Sequence, residues 1–214
     1  AYEIMPSLVG SEMCIRVREE FDTEIYPIFV NRNQENYERE SSAIRKFSSI
    51  FNERYKKKFN DVFEVKIPIP AQEFKELEEW YPGKKSYILR NLDIAIQAMR
   101  YAYFLDLNTV LVGSILSDVA PTFEDNSPEF WDLATRIARL GTAMKDFKIR
   151  PLFQELGWDK KDMVAWGYEH DIPLHLSWSC WYANELHCGK CSPCERRKEA
   201  YKIAGIEDRT GYLE

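Results

Sequence analysis

The chain has 214 residues, enough for one domain with a substantial core, and carries a formal net charge of −6 with 14% aromatic residues. That acidic balance excludes a protein built to coat nucleic acid, and no apolar run approaches membrane-spanning length. With no secretory signal and low cysteine density, the composition points to a cytoplasmic protein whose cysteines hold metal before they form disulfides.

In chain order, Glu24-Ile-Tyr-Pro-Ile-Phe-Val30 is a short apolar run rich in branched and aromatic residues, which predicts a buried strand. Residues from Tyr37 to Lys58 place Ala43, Ile44, Phe47, Ile50, Phe51 and Tyr55 on one helical stripe. Val62 to Ile67 alternates and ends at Pro68, the pattern of another strand. Ser86 to Leu92 opens a helix whose period continues through Ile94, Ala98, Tyr101 and Ala102. Thr109 to Gly113 is a buried strand ending in glycine, and in doubly wound sheets that end of a strand faces the ligand crevice. Ser127-Pro128-Glu129 is a helix start, followed by an amphipathic helix from Trp131 to Leu140. Strands alternating with helical stripes predict a mostly parallel α/β sheet with helices on both faces. No repeat, low-complexity tract or linker divides the chain, so a single domain over residues 1–214 is expected.

Four cysteines, Cys180, Cys188, Cys191 and Cys194, stand as C-x7-C-x2-C-x2-C. Two residues between cysteines let both sulfurs of a tight turn reach one ion, and Cys180 closes the tetrahedron from the preceding segment. Gly189 supplies the backbone freedom such a turn needs, while Lys190, Arg196, Arg197 and Lys198 are close in sequence to offset the thiolate charge. Two disulfides, four reduced bystanders or an iron–sulfur cluster are the alternatives, and a closed structural Zn2+ site is the reading favoured here. His170 and His175 lack metal-ligand spacing; His187 is a substitute ligand in a site already complete.

Leu176-Ser-Trp-Ser-Cys180, then Glu185-Leu-His-Cys188-Gly-Lys-Cys191, Cys194, Arg197, Glu199, Ala200 and Tyr201, resembles the C-terminal signature of the 7-cyano-7-deazaguanine synthase family of PP-loop ATP pyrophosphatases. The resemblance implies a Rossmann-like fold of the adenine nucleotide α-hydrolase type, with a zinc knuckle over residues 176–201. It implies a cytoplasmic homodimer that uses ATP with Mg2+ to convert 7-carboxy-7-deazaguanine and ammonia to the nitrile, with no membrane or direct nucleic-acid partner. The two other readings are an amide-forming relative that transfers the acyl group to another amine, such as one on a protein, and an inactive zinc-stabilised binding module.

Residue by residue, the family's Ser-Gly-Gly-x-Asp-Ser phosphate loop corresponds to Pro6–Ser11, which assigns Ser7, Gly10 and Ser11 to ATP. Only Ser11 matches, and Leu8 stands where backbone must approach phosphate. The stretch Ser7–Arg16 also resembles a peptide produced when sequencing adapters are translated, which would have overwritten the loop. Arg90-Asn91 is similar to the family's Arg-Asn near the nucleotide, assigning Asn91 to ATP and Arg90 to the substrate; the alternative is that Asn91 is a helix N-cap. Gly113 and Lys160 are implied to line the nucleotide crevice. Asp118 and Asp125 fall in the substrate loop, where Ser127 replaces the family's Arg, and Gln34 alone remains of its Asp-Tyr-Gly-Gln segment. Ile149–Phe153 is similar to the strand before the family's final helix, which Asp159–Val164 begins.

Overall fold

The computed structural model describes residues 2–4, 23–55, 58–67, 89–115 and 124–213. Its strands are β1 (Tyr2–Ile4), β2 (Tyr26–Asn31), β3 (Phe63–Lys66), β4 (Thr109–Val112) and β5 (Lys148–Pro151), in the sheet order β3-β2-β1-β4-β5. Every pairing among them is parallel, with Ile4 opposite both Ile28 and Val112. Parallel neighbours need crossover connections. Helix α1 (Tyr37–Tyr55) joins β2 to β3, α2 (Arg90–Phe104) precedes β4, and α3 (Pro128–Thr142) joins β4 to β5. A single turn, α4 (Leu152–Glu155), then α5 (Lys160–Glu169) and α6 (Ser192–Ala204) follow β5. The architecture is a parallel α/β sheet with helices on both faces, as the alternating pattern predicts, and of the Rossmann-like type that the family resemblance implies.

Both faces of the sheet are buried. Phe29 and Leu111 pack with Phe47 and Phe51 of α1, Met163 and Val164 of α5, and Tyr201 of α6. Ile28, Val30, Val110 and Val112 face the other way, onto Ala95, Ala98 and Ala102 of α2 and Ala134 and Ala138 of α3. Alanine at those five positions lets two helices lie close against the strands. Double-sided burial explains why Glu24–Val30 reads as a continuous apolar run without alternation. Each fully buried large side chain here removes apolar area worth roughly 1.5–3 kcal/mol.

The strand expected over residues 62–67 forms as β3. β3 is an edge strand with Phe63, Glu64 and Lys66 exposed and β2 as its one neighbour. The strand expected over Ile149–Phe153 stops at Pro151, and Leu152 and Phe153 turn into α4, where they are 3% and 0% exposed. Pro151 has no N–H to continue a ladder. Asn91 is not the N-cap of α2: Leu89 holds that position at φ +60°, with no side-chain cap. Ser127 does cap α3, its Oγ accepting the Phe130 N–H at 3.1 Å with Pro128 in the first turn. Asp159 and Asp162 form a reciprocal capping box at the start of α5.

The order β3-β2-β1 runs one way from β1 and β4-β5 the other. The topological switch point therefore lies between β1 and β4, and a ligand crevice is expected at the C-terminal ends of those strands. No helix among the described residues is long and apolar enough to cross a membrane.

Candidate functional site

Two groups of side chains gather near the C-terminal edge of the sheet. The first is the cysteine cluster. Cys180 follows the 3-10 turn Leu174–Leu176, Cys188 and Cys191 sit on the turn before α6, and Cys194 lies in the first turn of α6. Gly189 takes φ +71°, and a Cβ there would approach Lys198 Nζ to 3.0 Å, so the turn requires glycine. The four sulfurs all lie within 4.8 Å of one another. Three separations are 4.0 Å (Cys188–Cys194), 3.9 Å (Cys180–Cys191) and 3.4 Å (Cys191–Cys194).

Those distances discriminate between the chemical alternatives. A disulfide needs sulfurs about 2.05 Å apart, and all four cysteines are free. A tetrahedron with metal–sulfur bonds of about 2.3 Å has edges of about 3.8 Å, which the observed values bracket. A 4Fe-4S cubane binds each thiolate at a different corner and spreads the sulfurs to roughly 6 Å. The set fits one tetrahedral ion. Backbone N–H groups of Tyr182 and Cys188 point at the Cys180 sulfur, both at 3.4 Å, and that of Cys191 points at Cys188 Sγ at 3.3 Å. Burial raises the Cys188 pKa, but the N–H groups of Lys190 and Cys191 more than reverse this, leaving it at about 7. Burial pushes the Cys180 and Cys194 thiols up. A divalent cation at the centre overcomes that cost, since binding ionises its thiol ligands.

The surroundings hold the knuckle in place. His187 is not a ligand: its Nε2 accepts the Ser179 N–H at 3.2 Å, and burial lowers its pKa to about 4, so the ring is neutral. Arg197 is 1% exposed and points away from the sulfurs. It donates to Thr210 Oγ1 (2.8 Å), Ser177 Oγ (2.9 Å) and the Leu174 carbonyl (2.8 Å), with Asp208 at 3.9 Å. Lys198 donates to the Gly189 carbonyl at 3.0 Å and lies over the Tyr212 ring. Asn36, before α1, donates to the Cys180 carbonyl at 2.7 Å and ties the knuckle to the end of β2.

The second group borders the switch point. Asn91 Nδ2 donates to the Asp125 carbonyl at 3.1 Å, and Arg90 donates to Asn91 Oδ1 at 3.2–3.3 Å, so these three are brought together. Gly113 follows β4 directly, and its neighbour Ser114 donates to Asn126 Oδ1 at 2.6 Å. Gln154 on α4 donates to Ser114 Oγ at 2.5 Å and to the Asn126 carbonyl at 2.7 Å. Its Oε1 is buried with no hydrogen-bond donor. Lys160 opens α5, its N–H held by Asp159 Oδ1 at 2.8 Å; no described contact joins it to Asn91 or Gly113. Gln34 is spent inside its own loop, accepting from the Arg32 N–H and donating to Glu40. Ser7, Gly10, Ser11 and Asp118 lie outside the described residues.

Sequence reasoning missed Ser114, Asn126 and Gln154. Nothing in their spacing marks them, because three separate segments meet only in the fold. The Gly113 strand end and the Ser127 cap were the nearest signals.

The family model for queuosine biosynthesis protein QueC matches residues 11–205. A 7-cyano-7-deazaguanine synthase of Methanothermobacter thermautotrophicus is 36% identical over 135 residues, a match spanning 63% of this chain and 56% of that protein. Those of Methanococcus aeolicus and Methanocaldococcus jannaschii are each 28% identical, over 96% and 100% of this chain and 95% and 99% of theirs. Among solved structures, the U34-tRNA thiolase NcsA from Methanococcus maripaludis with its 4Fe-4S cluster shares the fold. Its TM-score is 0.51 at 16% identity, covering 94% of this chain and 63% of that one.

Proposed function

Because the chain belongs to the family of queuosine biosynthesis protein QueC, we propose that it is an ATP-dependent 7-cyano-7-deazaguanine synthase acting on a 7-deazaguanine carboxylate and ammonia. The observation that carries this reading is the polar cluster of Arg90, Asn91, Ser114, Asp125, Asn126 and Gln154 bordering the switch point of a parallel sheet, in a chain whose four-cysteine knuckle is tied to the end of β2. We take residues 1–214 as one domain working in the cytoplasm as a homodimer on small molecules, with neither membrane nor nucleic acid as partner.

The chemistry explains why ATP is needed. A carboxylate resists attack because oxide and hydroxide are poor leaving groups. In this reading a carboxylate oxygen attacks the α-phosphorus of ATP and pyrophosphate departs. Ammonia then attacks the acyl carbon, AMP leaves, and a primary amide remains. The amide oxygen attacks a second ATP, again releasing pyrophosphate. Loss of AMP and protons gives the nitrile. Ser7, Gly10 and Ser11 take the phosphate position in this scheme, with Asn91, Gly113 and Lys160 on the nucleotide and Arg90, Asp118 and Asp125 on the deazaguanine. Mg2+ accompanying ATP supplies charge neutralisation at phosphate. The buried Gln154 Oε1 is matched to a ligand N–H, which would satisfy an acceptor otherwise costing about 1–3 kcal/mol. Cys180, Cys188, Cys191 and Cys194 hold Zn2+, which supplies structural closure of the C-terminal segment.

One observation favours the amide-forming reading: Ser127, at the place of the family's Arg, is occupied in capping α3. Product mass separates the two, since a nitrile and its amide differ by one water. Incubation of the chain, its phosphate loop restored, with ATP, Mg2+, the carboxylate and ammonia should yield the nitrile. Accumulation of the amide alone would favour the second reading.

A further inference from the structure

Helix α3 turns one face to the core and leaves a second apolar face uncovered. Trp131, Ala134, Thr135 and Ala138 are between 2% and 6% exposed against the sheet. On the opposite side, Leu133, Ile137 and Leu140 recur at helical spacing and are 47%, 52% and 86% exposed. A helix needs one apolar stripe to fold onto a sheet; two stripes on opposite faces indicate a second contact. The end of α2 adds Tyr103, Phe104 and Leu105, of which Phe104 is 80% exposed. Both helices run back against the strand direction, so Phe104 and Leu140 come to the same edge of the sheet, the N-terminal edge, away from the switch point. Six side chains of this size offer apolar area on the order of several hundred Å2, the size of the patches that are often functional and near half of the ~800 Å2 per partner in a standard interface.

The charges on α3 select the occupant. Exposed Glu129 and Asp132 lie in its N-terminal half, and exposed Arg136 and Arg139 in its C-terminal half. A second α3 laid antiparallel sets the acidic half of each against the basic half of the other, twice, with Leu133 toward Ile137 across a two-fold axis. A parallel pairing sets like charges together. An isologous contact of this kind needs a self-complementary face, which this helix supplies.

We propose that α3 is the docking face for a second copy of this chain, packed antiparallel about an axis between Leu133 and Ile137, with the end of α2 at its margin. This rests on the homodimer of the reading above and identifies the surface that forms it. It places the two crevices at the far edges of the pair, so each copy keeps its own complete site.

Sedimentation equilibrium on the metal-loaded chain should give the mass of two 25.3 kDa chains at micromolar concentration. Leu140→Arg and Ile137→Glu, both at solvent-exposed positions, should each weaken dimerisation by at least about 100-fold while helix content and bound metal stay unchanged. Asp132→Lys and Arg136→Glu should each weaken it less, and the double variant should regain much of the loss, because these two positions lie closest across the axis and their pair is re-formed with signs exchanged. A monomeric parent chain, a dimer indifferent to both apolar substitutions, or a double charge variant no better than the singles would overturn the proposal. None of these readouts depends on ATP or product, so they stand apart from the assignment of activity.

Discussion

Gln154 is satisfied on one side only. Its amide nitrogen is held by Ser114 and Asn126, which fixes the orientation of Oε1 and leaves that acceptor buried without a donor. In the chain with its phosphate loop restored, Gln154→Leu is predicted to raise KM for the deazaguanine carboxylate about tenfold with a smaller change in kcat, the result of losing one ligand hydrogen bond. An unchanged KM would remove Gln154 from the site. Arg197 is the opposite case, a buried guanidinium whose donors are taken by Thr210, Ser177 and Leu174, with Asp208 close by. Arg197→Ala removes three donated hydrogen bonds and the cation beside Asp208, which keeps the Thr210 N–H and Tyr212 hydroxyl, and is predicted to cost about 3–5 kcal/mol in denaturant unfolding. A loss under 1 kcal/mol would mean the network is dispensable. The sequence placed Arg197 beside the cysteines and suggested charge compensation. Its true direction depends on Thr210 and Asp208, which arrive from the C-terminal loop and leave no local signal.

The elements most legible in the sequence are those whose signal is carried by their own residues. Ser127-Pro128 marked the start of α3, and the stripe Ile44-Phe47-Phe51 marked α1, because cap and core face are properties of one helix. The end of β5 was harder, because Leu152 and Phe153 suit a strand or a helical turn equally until Pro151 ends the ladder. The knuckle was legible through spacing alone, since four cysteines on one short segment fix which sulfurs meet. Because its ligands are so local, Cys191→Ser is predicted to lower bound Zn2+ from near one per chain to well below it. It should also expose the amides of α6 to hydrogen exchange before those of β2 and β4. Full metal content in that variant, or simultaneous loss of protection in the sheet, would contradict the closed-site reading.

At the scale of the whole molecule, the proposed function depends on the sheet, the crevice at its switch point and a phosphate loop after β1. The alternation of strands and helices gave the layered architecture. It did not give the strand order, which is set by which crossover lies on which face. β1 lies at the centre of the sheet, and this fold takes its ligands at the C-terminal ends of such strands; in sequence, Pro6–Ser11 begins two residues after Ile4. In that stretch Ser7 and Leu8 stand where the family's loop has its two glycines, and each charge-assisted hydrogen bond lost to phosphate costs roughly 1.5–3 kcal/mol. The most direct measurement is therefore pyrophosphate release from ATP and Mg2+, with and without the 7-deazaguanine carboxylate. It should be made on the chain as it stands and on one carrying Ser-Gly-Gly-x-Asp-Ser at Pro6–Ser11. The restored chain is predicted to release pyrophosphate only when the carboxylate is present, and the unaltered chain at least about 100-fold more slowly. Carboxylate-independent release by the restored chain, or equal rates for the two, would contradict the account.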